Sequence, residues 1–263
     1  MNITEGGNED NWVAELHDDD DLFRQPDGTH PGECPICFLP MPLGQKKSSF
    51  YSCCSRSICK GCIYANYISN KHDVTKAWSC PFCRTLAAAS VEENKKRMMK
   101  RIKANDPVAM SEMAMTLFNE GDYDSAIKYW TMAAELGDPE AHFRLGYLYS
   151  MGEHVKRDKE KKVYHYEKAA IGGHLPARYN LGCHEHNNDN MDRAAKHFII
   201  AAKLGDEISM KGLWTYYSAG NITKEDLEAT LRNHKAAMDE TKSAQRDAGE
   251  VALKGLGQKG FRI

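Results

Sequence analysis

Residues 133–138 read AAELGD, residues 169–174 read AAIGGH and residues 201–206 read AAKLGD. Their starts lie 36 and 32 residues apart, the length of a two-helix hairpin, so the chain repeats one supersecondary unit. A matching first helix stands before each: DPVAMSEMAMTLFNEG from Asp106, DPEAHFRLGYLYSMG from Asp138 and LPARYNLGCHEHN from Leu175. Apolar and small residues recur in these stretches at helical spacing, and Gly146 and Gly182 leave room for adjacent helices to approach closely. The pattern predicts an α-solenoid over residues 106–242.

The two intervals differ for a local reason. Gly146 to Ala169 spans 23 positions and Gly182 to Ala201 spans 19, so four extra residues belong in the loop around GEHVKRD, residues 152–158, where they leave the stacked core intact. A fourth unit is expected in EISMKGLWTYYSAG from Glu207, followed by a helix beginning at Thr223. The Thr223 hydroxyl suits an N-cap there, and the acidic residues after it suit a first turn. The second half of this unit departs from the repeat and reads as a cap. Trp130, Tyr147, Tyr149 and Trp214 are expected in the core rather than on a ligand platform. Cys183, His184 and His186 fall around a helix cylinder rather than on one face, so repeat packing and solvent exposure are expected of them, not metal ligation.

Upstream the composition changes. Eight of the nine cysteines lie between Cys34 and Cys83. The chain opens MNITEGGNED, with acidic residues where a signal or transit peptide carries basic ones, which points to an intracellular, cytoplasmic or nuclear protein and to metal ligation over disulfides. Asn2 and Asn221 begin N-x-T triplets that carry no meaning in such a compartment. No apolar run approaches the roughly 20 residues that span a bilayer.

The cysteines fall as CPIC (34–37), the adjacent Cys53 and Cys54, CKGC (59–62) and CPFC (80–83). In a C-x-x-C pair the chain turns tightly and brings both thiolates to about 2.3 Å from one ion. Eight donors supply two four-coordinate sites, so two structural Zn2+ ions are the expected cofactors. A closed all-thiolate site keeps no open position for water, and no catalytic residue is assigned. A segment of roughly 55 residues is too small for a stable core of its own, so metal binding supplies folding free energy.

The order of these ligands, with CPIC first and CPFCR last, resembles the RING finger family. The resemblance implies a cross-braced arrangement, with Cys34, Cys37, Cys59 and Cys62 on one ion and Cys53, Cys54, Cys80 and Cys83 on the other. The commoner RING places a histidine two residues after its third cysteine, where this chain has Arg56, a cation that cannot ligate. All-cysteine RINGs separate the fourth ligand from the next pair by four residues, as in Cys54-Ser-Arg-Ser-Ile-Cys59. Cys53 is then the third ligand, with His72 as a reserve donor.

RINGs of this kind act as ubiquitin ligases that position a ubiquitin-charged conjugating enzyme. By that resemblance Ile36 and Pro81 form an apolar groove for the enzyme, Trp78 flanks it, and Arg84 matches a cation bridging the enzyme and ubiquitin. Packing of the finger's own core, or turn geometry at Pro81, is the alternative role for these residues. Asn66 stands where many active RINGs present a bulky residue, with Tyr67 beside it.

The repeats themselves resemble Sel-1-like repeats, relatives of the tetratricopeptide repeat, through LGYLYSMGEHV and the KAAxxG helix ends. Together the two parts resemble a RING and Sel-1-like family of algal genomes, which implies a mainly α protein whose solenoid recruits a protein substrate or adaptor. A zinc-stapled interaction scaffold without ligase activity is the competing reading.

Charge divides the rest. Net charge is −2, but Glu5, Glu9, Asp10, Glu15 and Asp18 to Asp21 precede the first basic residue, Arg24, so residues 1–29 are expected as a disordered acidic arm. The finger takes residues 30–88. KKRMMKRIK, residues 95–103, lies in a basic helical linker over 89–105. It has no interleaved aromatics to stack on bases, so a solvated helix with Met98, Met99 and Ile102 turned inward is preferred over a nucleic-acid patch. Residues 243–263 are left as a tail.

Overall fold

The computed structural model of the chain describes residues 18–44 and 47–257. The residues of the arm before Asp18, including Asn2, and residues 258–263 of the tail lie outside the described residues. Four helical hairpins make up the larger part. They are α5 (Pro107–Glu120) with α6 (Tyr123–Glu135), α7 (Pro139–Met151) with α8 (Lys159–Ile171), α9 (Leu175–Asn187) with α10 (Met191–Lys203), and α11 (Glu207–Ser218) with α12 (Lys224–Glu240).

The repeated hexapeptide is the junction between hairpins. Its first alanine, Ala133, Ala169 or Ala201, is fully buried, and its carbonyl accepts from the amide of the sixth residue at 3.0 Å in all three copies. The fifth residue, Gly137, Gly173 or Gly205, has φ of 82°, 79° or 99° and donates to the second alanine. This is a Schellman ending, which needs a left-handed residue and so favours glycine. The sixth residue, Asp138, His174 or Asp206, then accepts an amide hydrogen bond three positions on and caps the next helix. Six residues thus end one repeat and start another.

Gly146 and Gly182 act as expected. A Cβ at Gly146 would lie 2.7 Å from Cδ1 of Tyr166, and one at Gly182 would lie 2.6 Å from Cε1 of Phe198, so each aromatic ring of the second helix packs on the bare backbone of the first. The four extra residues of the second repeat fall between α7 and α8, where residues 152–158 connect the helices, against 188–190 between α9 and α10. The Thr223 side chain caps α12 by accepting from the Asp226 amide. Trp130 is buried and Tyr149 packs on the same core, but Tyr147 and Trp214 are 44% and 51% exposed and stand outside it. Aromatic type alone does not reveal which side of a helix faces its neighbour.

Two further expectations change. α1 (Asp19–Leu22) and the chain after it lie along the solenoid: Leu22 is fully buried in one cluster with Tyr166, Ala169, Ala170, Ala177 and Leu181, so residues 18–29 of the expected arm are packed. At the other end, the first part of the expected tail forms α13 (Ala244–Gly257). The basic run lies in α4 (Val91–Ile102), with Met98 and Ile102 buried and Met99 packed beside them, as the amphipathic reading requires. Among the described residues no helix is long and apolar enough to cross a membrane.

Candidate metal centre

The cysteine-rich segment folds around very little apolar material. Strands β1 (Ser48–Tyr51) and β2 (Arg56–Cys59) pair antiparallel, with Ser48 opposite Cys59 and Tyr51 opposite Arg56. Helices α2 (Lys60–Ser69) and α3 (Val74–Ala77) follow. The buried cluster consists of five cysteines with Met41, Ile58 and Ile63. Three apolar side chains cannot offset the entropy of ordering such a segment, so something else must staple it.

Two turns present the outer cysteine pairs, and they share one backbone pattern. In the first, the amide of Phe38 donates to Cys34 O at 2.9 Å and that of Cys34 to Leu39 O at 3.0 Å. In the second, Arg84 donates to Cys80 O and Cys80 to Thr85 O, both at 2.8 Å. Phe38 and Arg84 both adopt left-handed backbone, at φ 56° and 60°. An isolated bridge, Glu33 with Pro40 and Ser79 with Leu86, closes each turn.

The eight sulfurs gather into two groups, Cys34, Cys37, Cys59 and Cys62, and Cys53, Cys54, Cys80 and Cys83, with the ligand atoms of each group within 4.8 Å of one another. All are free thiols. The separations Cys37–Cys59, Cys54–Cys80 and Cys53–Cys83 are 3.9, 3.7 and 3.3 Å. A tetrahedron of sulfurs about 2.3 Å from a central ion has edges of roughly 3.8 Å, whereas a disulfide needs about 2.05 Å. The donor set therefore fits two four-coordinate, thiophilic metal ions. Burial pushes the Cys54 and Cys62 thiols up to about 12, with crowding by neighbouring sulfurs adding to it at Cys54. His72 is exposed and belongs to neither group.

Each group is backed by an arginine from outside the segment. Arg246, on α13, reaches Cys37 Sγ at 3.4 Å and donates to Pro40 O and Leu39 O at 2.7 and 3.1 Å, while Gln245 Nε2 lies 3.3 Å from Cys62 Sγ. α13 gets this close because Gly249 meets Gly61, where a Cβ at Gly249 would sit 2.8 Å from Gly61 Cα. On the second group Arg101, in α4, donates to Cys53 O at 3.1 Å, and Arg97 donates to Leu86 O at 2.8 Å. The basic run thus spends two cations on carbonyls of the cysteine-rich segment, and a third, Lys95, pairs with Glu120.

The surface residues are arranged as follows. Ile36, 36% exposed, lies in the first turn, and Pro81 and the exposed Arg84 lie in the second. Trp78 packs edge-on to Tyr67, with centroids 5.7 Å apart, and with Tyr67, Asn94 and Arg97 it lines a pocket of about 320 Å3 that does not include Ile36, Pro81 or Arg84. Asn66 turns inward, its Nδ2 within 3.4 Å of the carbonyls of Lys76, Ala77 and Ser79, and ties α2 to the chain entering Cys80. Around Cys183 the described residues gather no metal group: His186 bonds Tyr216 OH at 2.7 Å and His184 meets Lys162 at 3.3 Å. The roles of Arg246, Gln245 and Asn66 had no signal in local spacing, since two of them act across some 180 to 210 positions of chain.

This architecture defines an α-solenoid of Sel1 repeats joined to a cysteine-rich segment that can hold two metal ions. The Sel1 repeat family model matches residues 107–138, 139–174 and 175–206, the three hairpins whose junctions are described above. A crystal structure of a Sel1 repeat protein from Oxalobacter formigenes superposes with a TM-score of 0.50 at 23% identity, covering 66% of this chain and 71% of that one, and shows the fold alone. An uncharacterized protein of Neisseria meningitidis serogroup B is 31% identical over 136 residues, 52% of this chain and 27% of that protein. DAP3-binding cell death enhancer 1 of Rattus norvegicus is 38% identical over 60 residues, 23% of this chain and 12% of that protein. The chain therefore spans only a minor part of the length of these curated relatives. Stacked helical hairpins of this kind form an extended, curved surface.

Proposed function

We propose that the cysteine-rich segment is a RING finger holding two structural Zn2+ ions, and that the chain is a ubiquitin ligase whose solenoid recruits a protein substrate or adaptor. The observation that carries this reading is the interleaving of the two thiol groups: the first and third cysteine pairs meet, and the second and fourth meet. Consecutive pairs share an ion in a simple ribbon, whereas interleaved pairs lace the segment into one unit. Two matched turns then project Ile36 from one centre and Pro81 and Arg84 from the other. These form the surface for the conjugating enzyme, with Trp78 at its flank and Arg84 bridging enzyme and ubiquitin.

Activity of this type is positioning: the protein holds a charged conjugating enzyme in a reactive arrangement and contributes no nucleophile. Autoubiquitination by the full chain, measured against a panel of conjugating enzymes, tests it. Wild type should be active, and Ile36→Ala and Arg84→Ala should lose at least tenfold while retaining both zincs. Equal activity in all three proteins would remove the assigned roles.

One observation favours the scaffold reading. Asn66 occupies the position where many active RINGs present a bulky residue, and its side chain is committed inward to the carbonyls before Cys80. A zinc-loaded, folded protein that is inactive with every conjugating enzyme would establish that reading instead.

A further inference from the structure

The solenoid carries a groove between α8, α9 and α10 that is filled by the chain itself. Leu22, fully buried, sits on Tyr166, Ala169 and Ala170 of α8 and on Ala177 and Leu181 of α9. Its carbonyl accepts from the guanidinium of Arg178, which is buried in α9 and donates also to Ala170 O at 2.9 Å. The next residue, Phe23, lies on the buried ring of His197, with centroids 4.8 Å apart, between the cations of Arg193 and Lys196, each 5.0 Å from the Phe23 centroid. Arg193 pairs in addition with Asp19 and with Glu185.

These contacts have a compact pattern. Asp19, Leu22 and Phe23 stand at positions i, i+3 and i+4 of one helical turn and so share a face. Against them the solenoid sets an apolar floor, a buried guanidinium that reads a backbone carbonyl, an aromatic site rimmed by two cations, and a cation for a carboxylate. Arg178 divides its donors between the solenoid's own Ala170 carbonyl and the Leu22 carbonyl of the seated segment, so one of its hydrogen bonds is made only when a segment is present.

Within Asp19–Phe23 one leucine is fully buried, the phenylalanine is only partly so, and both ring nitrogens of His197 lack a hydrogen-bond partner among the described residues, while the chain beyond is fixed separately, His30 N donating to Gly173 O at 3.0 Å. A buried polar group left in this way counts against the fit. Contacts on this scale are those of a weak peptide complex, made effective here because a tethered segment has a local concentration of about millimolar.

We infer that the groove of α8, α9 and α10 is a docking site for protein segments carrying an acidic residue, then leucine and an aromatic residue three and four positions later, and that Asp19–Phe23 occupies it as an internal competitor. This rests on the reading of the solenoid as the recruiting part of the molecule, and it names the chemistry that the solenoid recruits.

The test uses the full chain and a fluorescently labelled peptide of sequence DDDDLFRQ, residues 18–25 of this protein. Wild type should bind it weakly, because its own segment competes. Leu22→Ala/Phe23→Ala should bind it at least tenfold more tightly, adding Arg178→Ala should abolish the gain, and a peptide with leucine and phenylalanine replaced by alanine should not bind. Unchanged affinity in the opened variant, or equal binding of the substituted peptide, would overturn the inference. If the double variant melts below the assay temperature, Phe23→Ala, which leaves Leu22 in place, repeats the comparison with a smaller expected gain of about threefold; no gain there overturns it as well. No ubiquitin or conjugating enzyme enters the assay. Failure of the ligase reading therefore leaves its outcome unaffected, and absence of peptide binding does not bear on ligase activity.

Discussion

Cys53 Sγ lies 3.3 Å from Cys83 Sγ, a contact across 30 positions that brings the second and fourth cysteine pairs into one group. Cys54 Sγ is 3.7 Å from Cys80 Sγ in the same group, so two adjacent residues aim their sulfurs at one centre. Ser55, next in the chain, makes this workable by turning into left-handed backbone at φ 52° just before β2 begins. A histidine at Arg56 is not needed to complete the set.

Arg246→Ala is expected to release metal from the first centre faster than from the second. The substitution removes a charged donor that reaches Cys37 Sγ and the carbonyls of Leu39 and Pro40. Hydrogen bonds to charged groups are worth about 1.5–3 kcal/mol, so zinc loss to a chromogenic chelator should become biphasic, with one ion leaving on the order of tenfold faster. Gly249→Leu should do the same by pushing α13 off α2 at Gly61.

Gly146→Ala should destabilise the solenoid. Its Cβ would fall 2.7 Å from the Tyr166 ring, which is buried at the centre of the second hairpin and has little room to move. Overpacking of this kind costs about 1–3 kcal/mol and should lower Tm by several degrees in a calorimetric scan. An unchanged Tm would mean that the two helices can separate without penalty.

Acid should weaken the solenoid through its buried histidines, whose combined effect outweighs the opposing one of Glu112, a carboxyl that burial raises to about 7. Burial holds His142 at about 4, His165 at about 3 and His197 at about 2, from an ordinary value of 6.5, with neighbouring cations or imidazoles adding to the effect. His142 and His165 share a hydrogen bond between their Nδ1 atoms at 3.0 Å, which requires at least one of them neutral. The unfolded chain takes up these protons near 6.5 and the native chain does not, so stability falls as pH drops below about 6.5 and keeps falling through 4. His142 alone accounts for on the order of 3 kcal/mol by pH 4. Tm measured between pH 8 and 4 should decline across this range, and His142→Gln should decline less.

Much of this was legible before any coordinates. The hexapeptide AAELGD and its copies encode a buried alanine, a left-handed glycine and a cap within six residues, so a purely local reading places every repeat boundary. The cysteine spacing likewise encodes the near neighbours within each C-x-x-C pair, whereas the interleaving of the pairs was implied only by the resemblance to RING fingers. What it does not encode is support from distant chain. Arg246 and Gln245 meet their cysteines across 209 and 183 positions, and Leu22 meets Arg178 across 156, contacts with no periodicity to betray them. The acidic run before Arg24 reads as solvated because its charge outweighs its apolar content, yet Leu22 packs into the solenoid with Asp19 and Phe23 contacting it alongside, which charge content does not reveal. Tyr147 and Trp214 lie outward for a related reason: helical spacing gives a face, and only the neighbouring helix decides which face is covered.

Native mass spectrometry of the full chain, counting bound zinc, tests the interleaved two-metal finger most directly. Wild type should carry two ions, Cys53→Ser and Cys83→Ser should each carry one, the double variant should also keep one because both sulfurs serve the same ion, and His72→Ala should keep two. Two ions in Cys53→Ser together with one in His72→Ala would contradict the account and move the ligand to the histidine.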